Sequence, residues 1–374
     1  MKEFKPVKTA VIGCGAISGT YLNNCKNRLK IFDLVGCSDI KPERSLAKAN
    51  EFGIKQMTNE EIYNDPNIEL VINTTFPTAH FEISKNVLLA GKNVYSEKMM
   101  GISFAEGLEL TALAQKKGLL FGCAPDTFLG AGLQTARFIL DSGMIGEPIA
   151  ANALLVRSYH HERFSASDEK CFVYSEGAGI IYDVGCYYLT ALVNLLGPIN
   201  RVSGFATIRG ADDRVYMNPD NPDYGKVMTI DSTNITAGAM EFKNGTLCSI
   251  LTSSEGAGVT TRFAIFGTEG TLDLGDPNEF GSPVTVRSKY GAEIVMPVVH
   301  SFSENSWRCI GAADLAYALR NGRKPRASGE SALHTLEAAW GIVDGGVYSM
   351  TTTCERAEPL KAGYVEYPEM VFDI

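Results

Sequence analysis

The sequence has only five histidines in 374 residues, and no cysteine–histidine spacing in it matches a zinc site. No metal is therefore expected. Its nine cysteines (14, 25, 37, 123, 171, 186, 248, 309 and 354) include no C-x-x-C pair. Odd in number and set among apolar residues, they are those of a reduced, cytoplasmic protein rather than a disulfide framework. Long apolar runs are also missing, so no membrane span is expected. Strand-like sequence begins almost at once, at Val7, so no signal peptide is expected. Positive charge is in deficit: a net charge of −9 disfavours nucleic acid or an anionic membrane as partner. The remainder, 45% hydrophobic and 21% charged, is ordinary globular composition, and the length exceeds what one core normally holds, so two domains are expected.

The first half alternates strand and helix. Val7–Ile12 is a buried strand followed by Gly13-Cys-Gly15-Ala16-Ile17-Ser18 and a helix to about Asn27. Strand, G-x-G-x-x-S, helix is the order a dinucleotide site requires. Gly13 permits the tight turn, Gly15 lets backbone approach a pyrophosphate, and Ser18 is small enough for close helix–strand packing. Phe32–Ser38 is the second strand, ending at Asp39, about 20 residues beyond the turn, where a ribose-binding acid is expected. A carboxylate there accepts ribose hydroxyls and repels a 2′-phosphate, favouring NAD over NADP; the alternative is a cap for a helix at Pro42. Leu70–Thr74 is a further strand, and the loop Thr74-Thr75-Phe76-Pro77-Thr78-Ala79-His80 lies at the same sheet edge, with His80 read as a structural helix-start residue. Strands at 94–96 and 119–123 and a helix at 103–117 complete a doubly wound, mainly parallel sheet.

Glu97-Lys98 ends one of these strands. A lysine there faces the crevice where open α/β sheets bind ligands, and it can polarise a hydroxyl or hold an anionic cofactor; a solvated turn lysine is the alternative.

Beyond Pro125 the pattern changes. A helix at 133–141 leads into strand-like runs at 149–156, 202–208, 233–242, 246–252, 262–266, 271–274 and 284–286, with helices near 308–320 and 330–348 and a polar surface loop at 211–224. Strands in series imply an open, mixed or antiparallel sheet in an α+β domain. Asp183 and Tyr187 are four residues apart on one helix face. Asp183 is either a helix cap or a hydroxyl anchor, and Tyr187 either core or an acid/base whose pKa a nearby ammonium lowers, Lys98 being the candidate. Asp126, ending the last strand of the first half, is either a turn residue or a substrate contact. Arg157, Tyr159, His160 and His161 follow the first strand of the second domain and are read as a polar loop or a substrate wall.

Taken jointly, Gly13–Ser18, Asp39, Pro77-x-x-His80, Glu97-Lys98, Gly146-Glu147-Pro148, Gly177–Tyr187 and Gly267-Thr-Glu-Gly270-Thr-Leu resemble the glucose–fructose oxidoreductase / inositol dehydrogenase / MocA family over nearly the whole chain. The resemblance implies a Rossmann domain (residues 1–125) and a substrate-binding and oligomerisation domain (126–374) whose open sheet forms a homo-oligomer interface. It implies NAD held by Gly13, Gly15, Ala16, Ile17, Ser18, Asp39, Thr74, Thr75, Pro77, His80, Glu97 and Lys98. Lys98, Asp183 and Tyr187 take the catalytic positions, with Lys98, Asp126, Arg157, His160, Asp183 and Tyr187 facing a carbohydrate or polyol. Two departures stand out: Met99 replaces the family's proline, and Tyr187 its histidine. The implied activity is hydride transfer at a secondary hydroxyl. Alternatives are retained-NAD glycoside cleavage, by oxidation, elimination and reduction, and a non-catalytic NAD- or sugar-sensing regulator.

Overall fold

The computed structural model of the chain describes residues 5–163, 172–175, 177–210 and 214–362. The first unit runs β1 (Val7–Ile12), α1 (Ser18–Asn23), β2 (Phe32–Ser38), α2 (Pro42–Phe52), β3 (Lys55–Gln56), α3 (Asn59–Asn64), β4 (Leu70–Asn73), α4 (Pro77–Leu89), β5 (Asn93–Ser96), α5 (Phe104–Lys117) and β6 (Phe121–Cys123). Its six strands are all parallel, in the order β3-β2-β1-β4-β5-β6. The central strands β1 and β4 are almost wholly buried because helices cover both faces. Chain order reverses between β1 and β4, and the loops after these strands meet there, which is where doubly wound sheets bind ligands.

The second unit begins with α6 (Ala131–Asp141), β7 (Pro148–Ser158), α7 (Cys186–Leu196) and β8 (Ile199–Thr207), then the small hairpin β9 (Arg214–Val215) and β10 (Val227–Met228). It continues through β11 (Ile235–Phe242), β12 (Leu247–Gly256), β13 (Thr260–Gly267), β14 (Gly270–Leu274), β15 (Val284–Ser288) and β16 (Glu293–Val295) to α8 (Ile310–Asn321), α9 (Gly329–Asp344) and β17 (Gly346–Ser349). Nine strands form one mixed sheet, β16-β15-β14-β13-β7-β12-β11-β8-β17, with β7 and β12 its parallel pair. The sheet buries one face and exposes the other, so β12 alternates exposed Leu247, Ser249 and Leu251 with buried Cys248, Ile250 and Thr252. The late helices return to the first sheet: α8 packs on β5 and β6, and α9 lies between β6 and α5 on one side and α7 and β8 on the other.

The fold class is the one the sequence implies: a parallel Rossmann sheet joined to a large mixed sheet. Two local expectations are corrected. The helix expected over 330–348 stops at Asp344, because Gly345 and Gly346 take φ of 87° and 73°, and the following residues add edge strand β17 to β8. The segment expected as a surface loop at 211–224 is partly built in: Arg214–Val215 pairs with Val227–Met228, and Tyr216 is buried. Residues 211–213 lie outside the described residues.

Candidate active site

The turn after β1 is locked from three sides. Gly13 has φ of 100°, and a Cβ on it would lie 2.6 Å from the Thr74 carbonyl carbon and the Thr75 nitrogen. Thr74 Oγ1 donates to the Gly13 carbonyl at 2.6 Å, so the loops after β1 and β4 hold each other. From β2, Asp39 accepts the Cys14 N–H at 2.6 Å through Oδ2 and the Lys41 N–H at 2.8 Å through Oδ1. Asp39 therefore bridges the glycine turn and its own loop and is not the cap of α2, whose N-cap is Lys41. Ser18 is fully buried and donates Oγ to the Gly15 carbonyl at 2.7 Å. Around Gly15, by contrast, a Cβ would meet nothing within 4 Å. This is the open approach a pyrophosphate requires, with a carboxylate at the adjacent strand end where a ribose would lie. The residues present fit a nicotinamide dinucleotide.

Glu97 and Lys98, at the end of β5, carry the site from this cradle to the second unit. Glu97 accepts the Tyr21 hydroxyl of α1 at 2.7 Å and the Lys98 N–H at 3.1 Å. The Lys98–Met99 peptide is cis. The backbone after the lysine, where the family has proline, is held by His80. Its Nδ1 lies 2.7 Å from the Met99 carbonyl and its Nε2 3.0 Å from the Thr75 carbonyl. Burial holds His80 below the usual histidine range, and both of its ring nitrogens face carbonyl oxygens. His80 thus touches the backbone of both the loop after β4 and the loop after β5. Pro77 opens α4, and Thr75 donates its hydroxyl to Asn73 at 2.7 Å.

Lys98 Nζ donates to the Asp183 carbonyl at 2.7 Å and to its carboxylate. Asp183 lies in the π-turn Ile181–Gly185 that leads into α7. Both side chains are largely buried, at 17% and 14% exposure. Burial alone would lower the Lys98 pKa, but the Asp183 carboxylate, with Tyr187, Cys186 and Glu97, raises it well above the lysine range. A small cleft opens on this pair, lined also by Pro77, Gly177 and Tyr182.

Tyr187 follows on the first turn of α7, with Lys98 Nζ 5.7 Å from its ring centroid. The structure thus brings together the three residues expected to carry the chemistry. One expectation is corrected: the Tyr187 pKa is not lowered. Burial raises it well above the tyrosine range and outweighs the opposing charges of Lys98 and Arg308, so the phenol holds its proton in the ligand-free protein.

The proposed substrate contacts fare differently. Asp126 takes the turn-holding alternative: it is 1% exposed, and its Oδ2 accepts the N–H groups of Cys309 and Gly311 at 2.9 and 3.1 Å. Burial pushes its pKa up to about 6 against those N–H groups and the charge of Arg308. Arg157 faces Asp276 at 3.5 Å, and among the described residues no hydrogen bond or ion pair ties it to Lys98, Asp183 or Tyr187. His160 lies in the short turn His160–Arg163, and its side chain is outside the described residues.

One residue at the site carried no signal in the sequence. Arg308, two residues before α8, points Nη1 at the Tyr187 hydroxyl, 3.4 Å away, while Nη2 donates to the Asn278 carbonyl and side-chain oxygens at 3.2 and 2.7 Å. An arginine ahead of a helix is too common to be singled out.

Comparison with known proteins agrees with this geometry. Residues 7–124 match an oxidoreductase family with an NAD-binding Rossmann fold, GFO_IDH_MocA, and residues 133–273 match the GFO/IDH/MocA C-terminal domain. The chain belongs to this family. A scyllo-inositol 2-dehydrogenase (NAD⁺) of Bacillus subtilis is 24% identical over 336 residues, 88% of this chain and 91% of the relative. An uncharacterized oxidoreductase, C115.03, of Schizosaccharomyces pombe is 31% identical over 198 residues, 51% of this chain, so the match spans about half (52%) of that relative's length. The crystal structure of an aldose–aldose oxidoreductase from Caulobacter crescentus superimposes with a TM-score of 0.75 at 18% identity, covering 92% of this chain and 100% of that one; at this identity it shows a shared fold.

The two glycines of the turn separate folding from binding. Gly13→Ala is expected to cost about 1–3 kcal/mol of stability, read by denaturant unfolding, because both its positive φ and its close neighbours reject a side chain. Gly15→Val should unfold like the wild type yet bind NADH at least tenfold more weakly, read by nucleotide fluorescence.

Proposed function

We propose that this protein is an NAD-dependent oxidoreductase that moves a hydride between nicotinamide and a secondary hydroxyl of a sugar, glycoside or polyol. The observation that carries the reading is the convergence of Lys98, Asp183 and Tyr187 beside the Gly13–Asp39 cradle. Bound nicotinamide supplies the two-electron acceptor or donor. The protein's own part is positional and electrostatic. Asp183, held by Lys98, accepts a hydrogen bond from a hydroxyl next to the reacting carbon. Tyr187, protonated at rest, gives its proton to the oxygen when a carbonyl is reduced and takes it back when the alcohol is oxidised. The Lys98 ammonium stabilises negative charge on that oxygen. The Asp39 carboxylate favours NAD, since a 2′-phosphate would face it at the end of β2.

We also propose that the protein is a homo-oligomer assembled through the open face of the nine-stranded sheet. Phe205, Ala237, Leu251 and Leu154 form one cross-strand row. Along this face Phe205 is 84% exposed, Val347 76% and Leu247 59%. An apolar surface of this kind is normally covered.

Absorbance of NADH during a screen of sugars, glycosides and inositols tests the activity. The wild type should reduce NAD steadily with at least one of them, and Lys98→Met should lower that rate about 10²-fold or more. Asp39→Ser should shift preference towards NADP. Loss of a glycoside's aglycone without net NADH would replace this reading with retained-cofactor cleavage. For assembly, sedimentation of Phe205→Glu/Leu251→Glu should give a monomer with unchanged circular dichroism; a wild type that is already monomeric contradicts the interface.

A further inference from the structure

Two cations lie near Tyr187, and they are not equivalent. The Lys98 ammonium is committed: it donates to the Asp183 carbonyl and carboxylate. Arg308 is anchored on one edge only, by the neutral oxygens of Asn278, and its other edge meets the Tyr187 hydroxyl. Among the described residues no carboxylate lies within ion-pair distance of it, although it is largely buried. Its guanidinium carbon sits 5.5 Å from the Tyr187 ring centroid and 5.9 Å from that of Phe280. A planar fork suits this division, with one pair of donors fixed and another free for a developing anion.

The placement of Arg308 is itself enforced. Its successor, Cys309, has φ of 105°, a conformation a non-glycine residue holds only when its surroundings require it. Here the requirement is Asp126, whose buried Oδ2 collects the N–H groups of both Cys309 and Gly311. From the other side Asn24 Nδ2 donates to the Arg308 carbonyl at 2.6 Å. Strand end, helix start and the α1 region together aim one guanidinium at one hydroxyl.

We propose that Arg308, rather than Lys98, is the cation against which the Tyr187 hydroxyl ionises, and that Asp126 positions it through the turn at Cys309. The proposal rests on Tyr187 being the proton-transfer group of the reaction above. When the Tyr187 O–H bond breaks, the proton passes to the substrate oxygen and the charge left on the phenolate oxygen faces the guanidinium; in the reverse direction the substrate O–H breaks and the phenol re-forms. Burial opposes ionisation of Tyr187 most strongly; the charge of Lys98 and, after it, that of Arg308 favour it through space, and Glu97 and Cys186 oppose it. Of the two favourable charges, Arg308 makes the direct contact. Lys98 and Asp183, a nearly neutral pair, are left to hold the substrate.

The test needs no known substrate. A polyfluorinated tyrosine, whose more acidic phenol ionises at lower pH, is placed at position 187 of the full chain, and its fluorine resonance is followed against pH. Arg308→Gln should raise the ionisation midpoint by at least one pH unit, a tenfold loss of acidity, and Arg308→Lys should recover part of it. Asp126→Ala should shift it in the same direction by less. Lys98→Met/Asp183→Asn, which removes a cation and its counter-charge together, should move it less than Arg308→Gln. If Arg308→Gln does not fold, the smaller upward shift in Arg308→Lys decides the matter. An unchanged midpoint without the guanidinium, or a larger shift in the Lys98 variant, overturns the proposal. Failure of the wild type to reduce NAD with any sugar or polyol would instead remove the dehydrogenase reading, and the titration would still judge Arg308.

Discussion

The contact between Lys98 and Asp183 is the constraint from which the rest of the site follows. It joins the carboxyl end of β5 in the Rossmann sheet to the turn that starts α7 in the second unit. Each charge is almost buried, so each depends on the other; a buried ion left without its partner costs about 3–5 kcal/mol. The pair therefore sets the spacing of the two units where a substrate would enter, and brings Tyr187, one turn further along, to the same place. The reversal of the expected pKa logic follows from the same burial. Burial of the Tyr187 phenol outweighs the charges of both Lys98 and Arg308.

Around that pair the backbone is held by residues that never need to touch a substrate. Thr74 and Asp39 fix the glycine turn. His80 fixes the peptide after Lys98, where the family's proline is absent. Asp126 fixes the turn at Cys309. In each case a side-chain acceptor or donor is matched to a backbone group. The α8 and α9 helices, late in the chain, pack on β5 and β6, so the strand end bearing Lys98 is supported by segments from both ends of the sequence.

What the sequence made legible was local. Gly13, Gly15 and Ser18 could be read because the turn they form needs small residues at fixed offsets, and Lys98 because it directly follows a strand. The parallel sheet followed from the alternation of strand and helix with short connections. The helix at the end of the chain was overextended because Val347 and Tyr348 continue its apolar pattern, while Gly345-Gly346 breaks the backbone. Asp126 could be a turn or a contact until its partners, more than 180 positions away, were known. Arg308 was illegible for the same reason: Tyr187 is 121 positions distant, and the positive φ that aims the arginine belongs to a cysteine, a residue type that does not announce it. The net ionisation of Tyr187 depends on burial that no motif records.

The most direct test of this account is a double-mutant cycle on unfolding free energy with Lys98→Met and Asp183→Asn. Each single change should destabilise by about 3–5 kcal/mol, because each leaves a buried charge alone. The double variant should be more stable than the sum of the two losses predicts by more than about 1 kcal/mol. Strictly additive effects would contradict the claim that this pair joins the two units and assembles the site.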